Sequence, residues 1–466
     1  MRFKPGEIES LTGATMVSRG SAGLFARIAI DSRECSKDTL FVALRGERTD
    51  GHNFLTDAWK RGAAGALVEK DGCFLPDFTV FRVTDTENTL KNLGKACTGL
   101  LQGTRLAFTG TVGKTTAKRF FQELLSSRFQ VEATPRSFNT VIGMAVSLCN
   151  FSVTSSYYLL EAGINHPGEM AELSSLAQAE IAIFTPFGEG HLEGLRDVET
   201  VAREKMRLVC GKTRRVYLYT GNRCFASIRD LAKSNRPEIV TFGGPDHPSS
   251  HIVLEEFTFE PDTVRSRFQL RIGRDRPLFR SKIVSPEVAL LLGPAVHFAL
   301  ECGITLPQIV ERTEAMVASP GRETLTWIGN GVVIDDTYNA NPLSMKKAIH
   351  LLDGFRQKGY ETWAVLGDML ELGDASDRAH QELIRFLLKL RIDQVILLGA
   401  VFHRAADQVL SGDAAGQGVF LVSSHAEGTA IFREKLAISP RKWVILFKGS
   451  RAMEMERAIP MEWRSP

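Results

Sequence analysis

The sequence predicts an α/β protein of three domains, and three observations support this prediction. The chain has 466 residues, whereas one hydrophobic core usually serves about 150. Short apolar runs alternate with helical stretches from residue 104 onward, as in mostly parallel sheets. The same alternation restarts after residue 322. We expect a small α/β domain over residues 1–102, a parallel-sheet domain over 103–318 and a Rossmann-like domain over 319–466.

The first domain is predicted from short strand-like runs that glycine and aspartate clusters separate. The runs are residues 26–30, 40–44, 65–68 and 80–83. A polar helical stretch then leads to Gly103. These elements are enough for a small α/β unit.

The central domain is predicted from five strands with helical stretches between them. The strands are residues 105–108, 157–160, 180–184, 216–219 and 238–242. Residues 251–272 depart from this alternation of strands and helices. Apolar and polar residues alternate there on both sides of a Glu-Pro-Asp-Thr segment at 260–263. We expect an antiparallel hairpin there, followed by a helix-rich stretch over 286–318.

The third domain is predicted from a further series of strands with helical stretches between them. The strands are residues 332–334, 363–366, 394–398 and 443–447. Such a series is typical of nucleotide-binding folds.

Charge, cysteine content and hydropathy exclude several classes of protein. A net charge of +3 without a basic stripe gives no sign of a nucleic-acid partner. The seven cysteines are scattered and include no Cys-x-x-Cys pair, so neither a disulfide framework nor a zinc site is indicated. No apolar signal core or run of about 18 apolar residues is present. We expect a cytoplasmic monomer, without membrane insertion, that binds small anions.

Residues 109–116, Thr-Gly-Thr-Val-Gly-Lys-Thr-Thr, have the composition of a phosphate-binding loop that opens a helix. Its glycines let backbone N–H groups approach phosphate oxygens, Lys114 can reach the terminal phosphates, and the Thr115 hydroxyl can help to hold Mg²⁺. The strict pattern has glycine where this chain has Phe108, so a chance Gly-Lys-Thr at a helix start is the alternative. The expected nucleotide-binding residues of this loop are Gly110, Thr111, Gly113, Lys114, Thr115 and Thr116.

Polar side chains follow two successive strands of the central domain. Glu161 comes directly after residues 157–160, and His191 follows residues 180–184. Carboxyl ends of parallel strands share one edge of a sheet, so both side chains are candidates for Mg²⁺ beside the loop. Each residue alone also fits a structural role. Lys205, in a helical stretch, has the pattern of a surface lysine.

The third domain places polar residues after three of its strands. Residues 335–342 combine two acids and two asparagines, a density that a turn alone does not need. Residues 367–373 and 448–451 follow two other strands. Each segment could be a turn, but their joint position at strand ends favours a ligand-binding face.

Together these residues resemble the Mur ligases, ATP-dependent amide-forming enzymes that build the peptide stem of the bacterial cell-wall precursor. The resemblance runs from Asp31-Ser-Arg33 and residues 40–52, through 109–116, to 448–451. It implies the three-domain Mur ligase architecture, with a UDP-sugar site in the first domain, ATP and Mg²⁺ in the central P-loop domain, and the incoming amine in the third.

Residues 335–342 and 367–373 are similar to the members that add D-alanyl-D-alanine to UDP-N-acetylmuramoyl-tripeptide. The resemblance therefore implies these two small-molecule substrates and an acyl-phosphate intermediate, with release of ADP and phosphate.

The resemblance also implies roles for individual residues. Lys114, Glu161, His191 and Lys205 would be catalytic, and the last three would hold the metal ions together with Thr115. Lys205 matches the lysine that carries a carbamate in this family, which would turn a cation into a metal-binding carboxylate. The other implied positions are Asn139, Arg322 and Asp336 for the nucleotide, and Ser32, Arg33, Asn339, Asn341, Lys448 and Arg451 for the substrates.

The chain departs from the family pattern at three places. The proline that often follows Gly143 in the family is replaced by Ala145, one residue beyond Met144. No asparagine lies in residues 286–291, where the family reads the adenine, and Thr185-Pro186 stands where a Thr-Asn pair is usual. Two alternatives stay open: a ligase of the same family that adds a single amino acid, and a nucleotide-binding module that has lost turnover. A switch GTPase is disfavoured because the chain has no Asn-Lys-x-Asp motif.

Overall fold

The computed structural model describes residues 1–46, 49–70, 75–135, 138–187, 198–222, 224–233, 236–316, 321–410 and 418–464. The helices are α1 (Pro5–Thr12), α2 (Leu55–Lys60), α3 (Thr86–Leu100), α4 (Lys114–Leu125), α5 (Val141–Asn150), α6 (Glu169–Ala177), α7 (Val198–Met206), α8 (Phe225–Ala232), α9 (Pro286–Glu301), α10 (Leu306–Ala315), α11 (Pro342–Arg356), α12 (Ser376–Leu390), α13 (Ala400–Val409) and α14 (His425–Ala437). The strands are β1 (Thr15–Ser18), β2 (Arg27–Ala29), β3 (Thr39–Val42), β4 (Ala63–Val68), β5 (Thr79–Arg82), β6 (Thr104–Thr109), β7 (Val131–Ala133), β8 (Tyr157–Glu161), β9 (Ile181–Phe184), β10 (Arg215–Tyr219), β11 (Glu238–Gly243), β12 (Ile252–Glu260), β13 (Arg265–Ile272), β14 (Leu278–Ser281), β15 (Thr324–Ile328), β16 (Gly331–Asp335), β17 (Glu361–Gly367), β18 (Gln394–Leu398), β19 (Val419–Val422) and β20 (Trp443–Lys448). In this part of the chain the strands form sheets of five, nine and six strands. Among these helices, none combines the length and the hydrophobicity that a membrane-spanning segment requires.

The first sheet has the order β1-β5-β4-β3-β2. Strands β2 to β5 are parallel and correspond to the four predicted runs, whereas β1 pairs antiparallel with β5 at the edge. The predicted polar helix is α3, which packs on α5 of the central domain. A Cβ atom at Gly94 would lie 2.9 Å from Ala145, so only glycine permits this helix contact. The first and central domains consequently share one core.

The central sheet has the order β14-β13-β12-β11-β10-β9-β6-β8-β7. Strand β6 pairs in parallel with β8 on one side and β9 on the other. Strand β6 therefore lies between two strands that both follow it in sequence, so the strand order reverses at β6. In open α/β sheets, ligands bind at this point, outside the carboxyl ends of the strands. The predicted hairpin is confirmed as β12 and β13, which pair antiparallel. Strand β14 extends it.

The third sheet has the order β15-β16-β20-β17-β18-β19. The four predicted strands are β16, β17, β18 and β20, which run parallel, and β15 joins antiparallel at one edge. The carboxyl ends of β16, β20 and β17 are neighbours. The polar segments that follow these three strands therefore meet, as the sequence predicts.

The tip of the β12–β13 hairpin joins the central domain to the third. The Asp262 carboxylate oxygen Oδ1 accepts hydrogen bonds of 2.8 Å from the Tyr360 hydroxyl and 2.8 Å from the Lys442 ammonium. The Phe259 ring lies edge-on to Phe355, with 5.2 Å between their centroids. The hairpin thus helps to set the orientation of the third domain.

We propose that the three domains comprise residues 1–102, 103–318 and 319–466. The first limit lies between α3 and β6. The second lies between α10 and β15, and residues 317–320 are outside the described residues.

Candidate active site

The loop between β6 and α4 is shaped by two glycines. Gly110 has φ 151° and Gly113, which caps α4, has φ 85°, conformations that side chains other than glycine rarely adopt. A Cβ atom at Gly110 would lie 2.0 Å from the Thr185 hydroxyl oxygen. Gly110 therefore permits the close packing of the loop on the end of β9. Gly113 caps α4, whose first N–H groups have no partner within the helix and can bind an anion.

Part of the loop backbone is already engaged by residue 186. The N–H groups of Thr111 and Val112 donate to the carbonyl oxygen of Pro186 at 3.0 and 3.3 Å. The Thr185 hydroxyl donates to the Val112 carbonyl oxygen at 2.6 Å. These bonds hold the loop in place, and the N–H groups that open α4 are the better candidates for phosphate contacts.

The Lys114 side chain folds over this loop. Its ammonium donates to the carbonyl oxygens of Gly110 at 2.9 Å and Thr111 at 3.3 Å. Burial lowers the pKa of Lys114, although the nearby Glu161 carboxylate favours its charged form. An anionic phosphate at this place would stabilise the ammonium.

Glu161 ends β8 and points at the start of α4. Its carboxylate oxygen Oε1 accepts a hydrogen bond of 2.9 Å from the Thr115 hydroxyl. The other oxygen, Oε2, lies 3.1 Å from the ammonium of Lys118. Lys118 is not among the residues predicted from the sequence. Its spacing of one helical turn from Lys114, which puts both on one face of α4, is the signal that was available.

Lys205 lies on α7 and is 1% exposed. Within the described part of the chain its ammonium nitrogen has no hydrogen-bond partner. Burial, together with the charge of Lys114, lowers the pKa of Lys205 well below the usual lysine range. Buried polar groups nearly always have hydrogen-bond partners, so the Lys205 nitrogen indicates that a further group binds at this position.

The residues present fit a hard divalent cation. The Glu161 carboxylate and the Thr115 hydroxyl are oxygen donors of the kind that Mg²⁺ prefers, and Lys205 carries the unsatisfied nitrogen described above. The predicted histidine ligand, His191, lies outside the described residues. Among the described side chains, no group of three or more His, Cys, Asp or Glu residues could hold a metal ion.

Asn139 lies against the segment that follows Glu161. The N–H of Gly163 donates to the Asn139 carbonyl oxygen at 2.8 Å. A Cβ atom at Gly163 would lie 2.7 Å from the Asn139 amide nitrogen. The structure therefore brings Asn139 to the same edge of the central sheet.

Arg322 reaches from the third domain to the loop of the central domain. Its guanidinium donates to the Thr115 hydroxyl oxygen at 3.2 Å and lies 3.9 Å from the centroid of the Tyr338 ring. The Thr115 hydroxyl thus contacts both Glu161 and Arg322, and the candidate site is built from two domains.

Asp336 and Lys448 form a buried ion pair in the third domain. The Lys448 ammonium is 2.6 Å from Asp336 Oδ2 and donates to the Asn339 carbonyl oxygen at 2.9 Å. Burial raises the pKa of Asp336, and the charge of Lys448 opposes this shift. In this conformation the Lys448 ammonium braces the loop after β16.

The other predicted residues of the third domain lie on the same edge. The Asn341 side chain caps α11 by accepting a hydrogen bond of 2.9 Å from the Ser344 N–H. The Arg451 N–H donates to the Asn339 side-chain oxygen at 3.3 Å. The Arg451 guanidinium, 2.7 Å from Glu456, is largely exposed and can take a further anion.

The predicted residues of the first domain lie in a short turn after β2. The Ser32 hydroxyl is buried and donates to Asp57 at 2.6 Å. Arg33 is exposed and pairs with Asp31 at 2.6 Å. The Arg33 pair is the accessible part of this predicted sugar-nucleotide site.

Three family models match the chain in order. They are the "Mur ligase family, catalytic domain" over residues 25–85, the "Mur ligase middle domain" over 108–273 and the "Mur ligase, glutamate ligase domain" over 321–451. The chain is 29% identical over 448 residues to the UDP-N-acetylmuramoyl-tripeptide–D-alanyl-D-alanine ligase of Bacillus subtilis, covering 94% of this chain and 93% of the relative.

Solved structures agree with the sequence comparison. The MurF of Acinetobacter baumannii superposes with a TM-score of 0.84 at 26% identity, over 98% of both chains. The MurF ligase of Thermotoga maritima in complex with ADP gives 0.77 at 24% identity, over 93% of this chain and 96% of the other. The predicted three-domain fold and the family resemblance are both confirmed.

Proposed function

The chain belongs to the Mur ligase family, and we propose that it joins D-alanyl-D-alanine to UDP-N-acetylmuramoyl-tripeptide in an ATP-dependent reaction of peptidoglycan synthesis. One observation carries this proposal. The chain is similar over nearly its whole length to ligases named for this reaction, and the similar region includes the site at Thr115, which two domains build. We place the reaction in the cytoplasm.

The reaction must first activate a carboxylate, which is a poor acyl donor because its oxygen is a poor leaving group. The terminal carboxylate of the tripeptide attacks the γ-phosphorus of ATP, and ADP leaves. The amine of D-alanyl-D-alanine then attacks the acyl phosphate, and phosphate leaves as the amide forms. Both steps create or move negative charge, so positioned cations and N–H donors are the main requirement.

In this proposal the loop residues bind the nucleotide. The Lys114 ammonium moves from the loop carbonyls to the terminal phosphates, and Arg322 adds a second positive charge from the third domain. Asn139, beside Gly163, lies where phosphates and the incoming amine meet, and Asp336 contacts the ribose. Because Arg322 and Lys114 come from different domains, closure of the two domains assembles the site and excludes water.

Thr115, Glu161, His191 and Lys205 would hold Mg²⁺, which neutralises the phosphate charge. Lys205 requires a modification for this role, because an ammonium repels a cation. Addition of CO₂ to its neutral amine, with loss of one proton, gives a carbamate whose oxygens can bind metal. Its burial without a partner in the described residues supports this proposal.

The other substrate assignments rest on position. Ser32 and Arg33 would bind the UDP-sugar. Asn339, Asn341 and Arg451, on the edge beside β16 and β20, would receive the dipeptide, with the exposed Arg451 guanidinium on its carboxylate. Lys448 would act there by holding the loop through Asp336.

The test is release of phosphate from ATP by the purified chain with Mg²⁺, bicarbonate and UDP-N-acetylmuramoyl-tripeptide. We expect release to depend on D-alanyl-D-alanine and to be lost in Lys114→Ala. Release with a single amino acid instead would indicate a sibling ligase. Absence of release with every amine would indicate a module without turnover.

A further inference from the structure

Lys118 is a buried lysine that the reaction described above does not use. It lies on α4, one turn after Lys114, and its side chain is 5% exposed. Lysine is rarely buried unless an anion matches it, because an isolated charge is costly to remove from water. Its partners therefore indicate its role.

Three contacts with described residues hold the Lys118 ammonium. It lies 3.1 Å from Glu161 Oε2, and it donates to the carbonyl and hydroxyl oxygens of Thr134 at 2.6 and 3.2 Å. The same Thr134 hydroxyl accepts a hydrogen bond of 3.1 Å from the Glu161 N–H. The three residues form a closed ring that connects α4, the end of β7 and the end of β8.

This ring distinguishes the two oxygens of the Glu161 carboxylate. Oε2 forms the ion pair with Lys118 and has no hydrogen-bond donor among the described residues, while Oε1 accepts the hydrogen bond from Thr115 at 2.9 Å. Thr115 directly follows the loop lysine, so Oε1 is the oxygen on the nucleotide side. We propose that Lys118 is a positioning residue that holds Oε2 and thereby presents Oε1 to the divalent cation beside Thr115. The inference rests on the proposed function, because it takes Glu161 as a metal-binding residue.

Positioning and simple charge compensation predict opposite results. If Lys118 only compensated the buried charge of Glu161, its removal would strengthen cation binding, because a nearby positive charge repels the metal. If it positions the carboxylate, its removal frees the side chain to turn, and cation binding weakens. Partners of metal ligands commonly act in the second way.

The test measures Mn²⁺ affinity in the presence of ADP, from the electron paramagnetic resonance signal of free Mn²⁺. For the full chain with Lys118→Met, we expect affinity to fall by about 10- to 100-fold. The matched control is Arg119→Met, the next residue on α4, which pairs with Glu123 at 3.7 Å and should retain wild-type affinity. Unchanged or tighter Mn²⁺ binding by Lys118→Met would overturn the proposal.

A second variant covers the case in which Lys118→Met does not fold. Thr134→Val keeps both charges and removes only the hydroxyl that anchors the ring, so we expect a smaller loss of Mn²⁺ affinity. Wild-type affinity in Thr134→Val would overturn the inference. The readout needs no turnover, so a wild-type chain that binds Mn²⁺ but forms no amide contradicts the proposed function alone. A wild-type chain that binds no Mn²⁺ contradicts both.

Discussion

Replacing Lys205 by methionine should stabilise the protein while removing its activity. The Lys205 nitrogen is buried and has no partner among the described residues, and a buried unsatisfied polar group costs about 1–3 kcal/mol. Methionine has a similar length, so it leaves no cavity. It also has no polar atom that would need a hydrogen-bond partner. For a domain of the central domain's size, each kcal/mol of unfolding free energy shifts the midpoint temperature of thermal unfolding by about 2–4 °C. We expect the unfolding midpoint of Lys205→Met to rise by roughly 2–12 °C.

The stabilisation should also depend on pH. The pKa of Lys205 is lowered in the folded state, mainly by burial, so between that pKa and the ordinary lysine value the unfolded chain binds one more proton. Wild-type stability therefore rises with pH through this window. Lys205→Met lacks this contribution, and its advantage should shrink as the pH rises.

The assay is differential scanning calorimetry in EDTA without added bicarbonate, at several pH values. The control is Arg203→Met on the same helix, whose side chain is 65% exposed and whose loss should change stability by less than about 0.5 kcal/mol. In phosphate-release assays Lys205→Met should lose on the order of 100-fold or more in rate. A lower midpoint than wild type, or retained activity, would refute the account of Lys205.

Three further predictions concern the loop and the domain contacts. Arg322→Ala removes the hydrogen bond to Thr115, and steady-state kinetics should show a higher KM for ATP; an unchanged KM would mean that Arg322 does not contact the nucleotide. Gly110→Ala would place a Cβ atom 2.0 Å from the Thr185 hydroxyl oxygen, so calorimetric titration with ADP should show at least about tenfold weaker binding. Wild-type affinity would show that the loop tolerates the change. Asp262→Ala removes both polar contacts of the hairpin tip with the third domain, and small-angle scattering should show a broader range of domain orientations, whereas an unchanged profile would assign that orientation to other contacts.

The sequence predicted the strands with several buried residues and missed strands at sheet edges. Strand β1 has no buried residue, β15 has none, and β7 has only three half-buried residues. Such strands lack the apolar pattern on which prediction depends. Their places in the sheets come from pairing with a neighbour, which is a tertiary property.

The residues of the candidate site also fall into two groups, those that a local sequence pattern predicts and those that only tertiary contacts determine. The phosphate loop could be predicted because its glycines and its Lys-Thr pair are local in sequence. Lys118 and Lys205 could not be recognised as buried from their helical patterns, since what buries them comes from distant strands and helices. The contact between Arg322 and Thr115 joins two domains, and no local pattern encodes it. For Lys205, the family resemblance supplied what the pattern did not.

The central claim is that the chain activates a carboxylate by phosphorylation and transfers it to D-alanyl-D-alanine. The most direct measurement uses UDP-N-acetylmuramoyl-tripeptide labelled with ¹⁸O in its terminal carboxylate, with ATP, Mg²⁺, bicarbonate and the dipeptide, followed by mass spectrometry. The account predicts the pentapeptide product and one ¹⁸O atom in each released phosphate. Unlabelled phosphate without a peptide product, or a product that contains only a single added amino acid, would contradict it.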